Sequence, residues 1–265
     1  MKFKIDHDLH IHSFLSLCSK DAEETPERML SYAKDEEFSK ICITDHFWDE
    51  RVDGASDWYS TQNYSHLKKA LPLPKDDGVT FLFGCETEMD KYFRLGISKE
   101  RFDEFDFVII PTSHLHMKGF TIEESLVGVK ERAEYYLERC HALLDMELSF
   151  EKIGLAHFTC PLLARNSEGT YIDIINAISD REYTNLFDKA AKTGVGIELN
   201  LGFSDAANEE VLRPYRIAKS CGCKFYLGSD AHSPKGLLGA RGRFEAIVNA
   251  LGLTEEDKFH LVKTR

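Results

Sequence analysis

The chain has 265 residues, with 33 lysine and arginine against 45 aspartate and glutamate residues and a formal net charge of −12. With 43% hydrophobic and 29% charged residues, its composition is that of an ordinary soluble globular protein, long enough for a large core. The acidic balance excludes a broad basic face for a phosphate backbone, so nucleic acid is disfavoured as a partner, although a small nucleic-acid substrate held at metal ions stays open.

No apolar run approaches the roughly 18 residues that span a bilayer. The start, MKFKIDHDLHIHS, lacks the apolar stretch of a signal peptide. Together these predict a cytoplasmic protein with no membrane contact. Seven cysteines without a CxxC pair, several within apolar runs, are read as buried reduced thiols.

In chain order, runs rich in β-branched and aromatic residues predict strands near Phe3–Ile11, Lys40–Thr44, Thr80–Phe83, Phe105–Pro111, Lys152–Ala156, Gly194–Leu199 and Lys224–Leu227. FDFVII and KICI are apolar at both alternations, as strands covered on both faces are. Thr25-Pro26-Glu27 is a helix start, a hydroxyl cap followed by proline at the first helical position. Further helices are expected over Thr121–Met146, Asp180–Lys192, Ala206–Lys219 and Gly239–Leu251, and a closing helix over Thr254–Arg265. The aperiodic segment Asp49–Gly78 reads as an excursion that can cover a site, with Trp48, Trp58 and Tyr59 assigned mainly to packing. Strand–helix alternation predicts an α/β fold in one domain over residues 1–265. Seven strands without a GxGxxG or P-loop turn favour a barrel over an open doubly wound sheet.

Metal-capable groups recur at the C-terminal end of every predicted strand. They are Asp8-Leu9-His10-Ile11-His12, Thr44-Asp45-His46, Cys85-Glu86-Thr87-Glu88, Ser113-His114-Leu115-His116, Ala156-His157, Glu198-Leu199-Asn200 and Ser229-Asp230-Ala231-His232. That is the rim where parallel barrels build their sites. Alternate residues of an extended strand point the same way, so His10 with His12, and Asp230 with His232, can face one metal or two neighbours. Imidazoles with carboxylates suit zinc, manganese or iron, and a carboxylate such as Glu86 can bridge two ions. So many donors point to two or three ions. One histidine at a strand end is more often a satisfied core residue, and an HxH is a weak signal; recurrence at seven ends carries the reading. His7, His66, His116, His141 and His260 have no comparable explanation.

These pieces, running in order from residue 8 to 232, resemble the polymerase and histidinol phosphatase (PHP) domain family. The resemblance implies a distorted, TIM-like barrel of seven β/α units with a trinuclear metal site at the C-terminal ends of its strands. By motif match the ligands are His10, His12, Glu86, His114, His157, Asp230, His46 and His232, with Glu86 as the bridge. Many members carry a further histidine ligand six residues after the HxH. Cys18 stands at that position here, as a thiolate ligand or as an unligated neighbour.

A centre of this kind serves hydrolysis of a small phosphomonoester by a metal-bridging hydroxide, with Asp230 or His232 giving a proton to the leaving alkoxide. Arg165 and Arg241 are the first candidates to clamp the phosphate, with Arg243, Lys20 and Lys118 behind them, although an exposed cation is more often plain surface charge. The resemblance suggests L-histidinol phosphate, cleaved to L-histidinol, as the first substrate. The alternatives are a nucleotidyl phosphodiesterase or nuclease of the same family, against which the net charge argues, and a non-catalytic metal-binding domain.

Overall fold

The computed structural model describes residues 1–202 and 204–261. Eight strands form one sheet: β1 (His7–Ile11), β2 (Lys40–Ile43), β3 (His46–Phe47), β4 (Thr80–Thr87), β5 (Phe107–Ile110), β6 (Ile153–Leu155), β7 (Gly196–Asn200) and β8 (Lys224–Gly228). All neighbours run parallel in the order β1-β2-β4-β5-β6-β7-β8. β2 and β3 occupy one strand position in succession, β2 pairing with Thr80–Phe83 and β3 with Glu86–Thr87 of β4. That leaves seven positions around the sheet. At the rim β8 runs on to meet β1, where His12 N donates to Ala231 O (3.0 Å) and Asp230 N to His10 O (2.7 Å). The sheet is thus nearly closed into a seven-stranded barrel, as the strand count predicts.

Sequential parallel strands need a crossover long enough to return the chain to the same end, and helices supply it. The main ones are α1 (Pro26–Asp35), α2 (Val129–Leu144), α3 (Tyr171–Ala177), α4 (Asp180–Thr193), α5 (Glu209–Ser220) and α6 (Ala240–Leu251). Thr25 caps α1 through a bond from Arg28 N, with Pro26 at the first helical position as its sequence requires. α2 starts later than expected, at Gly128, because the chain before it is drawn to the rim. There Thr121 Oγ1 donates to His114 O, and Gly119 N to Ile122 O (2.8 Å).

Two terminal expectations change. Strand β1 begins only at His7, since Lys2 pairs with Thr254 in an antiparallel bridge and the first residues cross the barrel floor. The closing helix is a single 3-10 turn, Glu255–Asp257, after which Lys258 bridges to Phe225; residues 262–265 of that predicted helix lie outside the described ones.

The lumen is filled by Leu9, Cys42, Phe107, Ile109, Ala156, Tyr226 and Phe259. A Cβ at Gly154 in β6 would lie 2.5 Å from Tyr226 Oη and 2.6 Å from Phe107 Cζ, so this glycine admits the two large rings. The larger core lies between the sheet and its helices. Among the described residues no helix is long and apolar enough to cross a membrane.

Candidate metal centre

The rim above the filled lumen gathers the predicted residues. His10 lies in β1 with His12 just beyond it, His46 in β3 and Glu86 in β4. His114 follows β5, His157 follows β6, and Asp230 and His232 follow β8. β1 is bulged: Asp8 partners Ile41 but Ile11 partners Ile43, three steps against two. Bulges re-aim side chains beside functional sites. Here Leu9 enters the lumen cluster while His10 and His12 still converge above it. Asp230 (φ 54°) and His157 (φ 28°) have left-handed backbones, which cost about 1–3 kcal/mol each outside glycine.

Glu86 is the hub. Its Oε2 lies 3.0 Å from His46 Nδ1, 3.3 Å from His12 Nε2 and 3.6 Å from His10 Nε2, and its Oε1 lies 3.2 Å from His157 Nε2. Asp230 Oδ1 faces His12 Nε2 at 3.2 Å and His10 Nε2 at 3.4 Å. Among the described residues, three donor groups have ligand atoms within 4.8 Å of one another: His10, His12 and Glu86; Glu86, His114 and His157; and His12, Cys18, His46 and His232. Glu86 and His12 are each shared by two groups.

An outer ring orients these imidazoles. His10 Nδ1 donates to Glu198 Oε1 (2.6 Å), His114 Nδ1 to Glu88 Oε2 (2.9 Å) and His232 Nδ1 to Asp230 O (2.8 Å). Ser16 Oγ gives its own proton to Asp45 (2.7 Å) and therefore accepts from His12 Nδ1 (3.0 Å). His157 Nδ1 pairs with Ser113 Oγ (2.8 Å). A proton held outward on Nδ1 leaves the Nε2 lone pair facing the centre, which is how outer partners prepare metal-binding histidines. His46 differs: its Nδ1 is buried with no aligned hydrogen bond.

The electrostatics follow from this crowding. Burial pushes Glu86 up, but His46, His10, His12 and His157 outweigh it and hold the carboxyl well below its usual range. Burial and His157 push His114 down to about 3, so it is neutral at pH 7. Burial also opposes charge on His12, yet Asp230 and Glu86 raise it to about 9. Metals binding here displace protons, so affinity falls in acid.

The centre opens into a cavity of about 520 Å³. One wall is apolar, formed by Trp58, Tyr59, Met117, Phe120 and Leu162, and Arg165, Lys118 and His116 supply the polar side. The Asp49–Gly78 excursion therefore does wall the site. Trp48 and Tyr59 pack as expected, each 1% exposed, but Trp58 stands at the cavity with its ring 5.0 Å from His46. A larger open groove of about 1090 Å³, near Leu71 and Phe81 at the start of β4, holds none of these donors.

Arg241 is not brought to this site. Its guanidinium donates to Glu36 O (2.6 Å) and Glu37 O (2.7 Å) past the end of α1, at the opposite end of the barrel, which corrects the expectation for it. Arg243 is likewise tied to Gly236 O (2.6 Å), and Lys20 does not line the cavity. Four contributors lacked an assigned role in sequence. His116 lines the cavity; Glu198, Glu88 and Asp45 orient ligands rather than supply them. Their signal was position at strand ends, which does not distinguish a metal donor from its support. Arg132 and Arg139, both on α2, are fully buried despite their charge. Arg139 donates to Glu88 Oε1 (3.2 Å), and Arg132 to Leu115 O (3.2 Å) and Leu163 O (2.7 Å), fixing the loops of the rim.

Converging lone pairs, shared carboxylate and histidine donors and a buried imidazole nitrogen with no aligned hydrogen bond fit divalent ions. A parallel barrel carrying this donor set on its rim has the build of a metal-binding hydrolase. The PHP domain family model matches residues 8–202, and the chain belongs to that family. In structure it is similar to the histidinol phosphate phosphatase of Lactococcus lactis subsp. lactis Il1403, determined with zinc, L-histidinol and phosphate. That likeness has a TM-score of 0.66 at 17% identity and covers 96% of this chain and 98% of that one. It is also similar to a candidate histidinol phosphatase from Listeria monocytogenes, with a TM-score of 0.61 at 16% identity over 88% of this chain and 97% of that one. A search of curated proteins finds no match.

Proposed function

We propose that the protein is a metal-dependent phosphomonoesterase acting on a small substrate, with L-histidinol phosphate the first to test. The observation that carries the reading is the sharing of Glu86 between adjacent donor groups, which suits two or three zinc, manganese or iron ions side by side. The Lactococcus structure, with its zinc, L-histidinol and phosphate, supports the choice of substrate.

His10, His12, Glu86 and Asp230 would hold one ion, Glu86, His114 and His157 a second, and His46 and His232 belong to a third position. Bound there, divalent ions acidify water and neutralise phosphoryl oxygens. Water's oxygen bonds to phosphorus as the ester P–O bond breaks, and the proton given up by the water must reach the leaving alkoxide. Asp230 suits that transfer. Asp230 Oδ1, 3.2 Å from His12 Nε2 and 3.4 Å from His10 Nε2, would stand among the ions as a carboxylate, so it would accept a proton before it gives one. His232, at the cavity, is the second candidate for the same step. Arg165 and Lys118 reach the cavity from loops and would meet the remaining phosphate charge. Trp58, Tyr59 and Phe120 would face the organic half.

The test is phosphate release from L-histidinol phosphate by zinc- or manganese-loaded protein, beside a generic aryl phosphate and a nucleotide diester. A kcat/KM for L-histidinol phosphate far above both supports the reading. Equal, feeble monoester rates reject that substrate, and preferred diester turnover replaces the monoesterase with the nuclease-type activity.

A further inference from the structure

The three donor groups differ in chemistry. The two built on Glu86 offer nitrogen and oxygen, and the third brings in sulfur from Cys18. In that third group His12 belongs with the first, because its Nε2 faces both Glu86 Oε2 (3.3 Å) and Asp230 Oδ1 (3.2 Å) and it does not line the cavity, whereas His46, whose Nδ1 lies 3.0 Å from Glu86 Oε2, does. Cys18, His46 and His232 remain, one sulfur and two imidazoles around a position that opens to the cavity.

The turn carrying Cys18 is anchored on both sides. Ser13 N and Oγ donate to Asp45 (2.7 and 2.6 Å), and Leu17 N donates to Gln62 Oε1 (2.9 Å). Ser19 Oγ donates to His232 O (2.9 Å), tying the turn directly to another member of the group. His46, 7% exposed, turns its Nδ1 to Glu86 Oε2 at 3.0 Å without an aligned hydrogen bond, so it links this corner to the bridging carboxylate.

We propose that the centre is chemically graded. The Glu86-bridged pair accepts manganese, iron or zinc, whereas Cys18, His46 and His232 form a thiolate position that takes zinc or cobalt and discriminates against manganese. Soft thiolate favours zinc, while carboxylate and imidazole tolerate the harder ions. Three protein ligands with an open fourth place is the arrangement of zinc sites that bind substrate or water. On binding, the Cys18 thiol gives its proton to solvent as the sulfur–metal bond forms. The proposal rests on the metal reading of the site, but not on the reaction assigned to it.

Metal-stripped full-length protein is titrated with cobalt(II) and, separately, loaded with zinc or manganese and analysed for metal per chain. The expected results are a near-ultraviolet thiolate-to-cobalt charge-transfer band and one ion fewer with manganese than with zinc. Cys18→Ser should abolish the band and lower the zinc count by one. Cys18→His should restore the third ion without the band and let manganese match zinc. Full cobalt binding with no band in the wild type, or a band that survives in Cys18→Ser, overturns the proposal and leaves the phosphatase reading standing. The band without phosphate release supports the proposal and defeats the phosphatase reading. Failure to bind any metal defeats both.

Discussion

Glu198 lies fully buried beneath the centre and holds two metal-facing residues at once. Its Oε1 accepts from His10 Nδ1 (2.6 Å), and its Oε2 accepts from the backbone N of His157 (2.5 Å) and from Asn200 Nδ2 (3.1 Å). A Cβ at Gly228 would collide with the Glu198 carboxylate, so β8 is cut back to make room for this contact. Replacing Glu198 by alanine removes the acceptor of three buried N–H donors at about 1–3 kcal/mol each, or about 3–9 kcal/mol together.

Glu198→Gln is the sharper test because it keeps the shape. Its amide oxygen can serve the two donors on the Oε2 side, but its NH2 then faces His10 Nδ1, for a loss of about 1–3 kcal/mol. His10 then loses the partner that sets its tautomer, and metal affinity should fall about 10–100-fold, or about 1.4–2.8 kcal/mol. Urea unfolding of the metal-stripped protein reads the first quantity, and zinc competition against a chromophoric chelator reads the second. A glutamine variant with the wild-type unfolding midpoint and wild-type zinc affinity would refute the reasoning.

Two further predictions separate neighbouring residues by position. Arg165→Ala should raise KM for the monoester, and the inhibition constant of inorganic phosphate, about tenfold with little change in kcat, because an exposed arginine at the cavity makes at most a charge-assisted bond. Arg241→Ala should leave both constants unchanged while lowering stability by about 1–2 kcal/mol through its lost carbonyl contacts; an equal effect on phosphate would return Arg241 to the site. Glu24 is buried with neither oxygen hydrogen-bonded, and burial together with Asp21 raises it to about 7 from 4.5. A carboxyl that holds its proton more tightly when folded favours folding in acid, so this contribution is lost as pH rises from about 4.5 to 7. The loss is at most about 3 kcal/mol. Glu24→Gln should therefore gain stability over the wild type between pH 5 and 8 in the metal-free protein, and parallel pH–stability curves for the two would contradict this.

Much of the site was legible because strand ends are local features. HxH, TDH and DAH each follow an apolar run, and parallel strands bring all their C-terminal ends to one rim, so the convergence of these donors and the barrel class could be read before any contact was known. Arg165 and Arg241 show the limit. Both follow strand ends as charged loop or helix residues, yet one lines the cavity and the other caps a helix at the far end of the barrel. Trp58 and Tyr59, adjacent in sequence, both line the cavity, yet Trp58 is 37% exposed and Tyr59 1%, according to how the excursion folds.

Chain order and residue type by themselves determined the α/β alternation, the seven strand positions and which side chains can carry a metal, since these follow from periodicity and donor chemistry. The three-dimensional fold decided the rest. The bulge in β1 lets Leu9 fill the lumen while His10 and His12 face the centre; Glu198 and Glu88 each reach an imidazole from another strand, and Asp45 reaches His12 through Ser16. Cys18 meets His46 and His232 only when the turn after β1 lies against the end of β8. The meeting with His232 spans more than two hundred residues of sequence and depends on closure of the barrel, which no local pattern encodes.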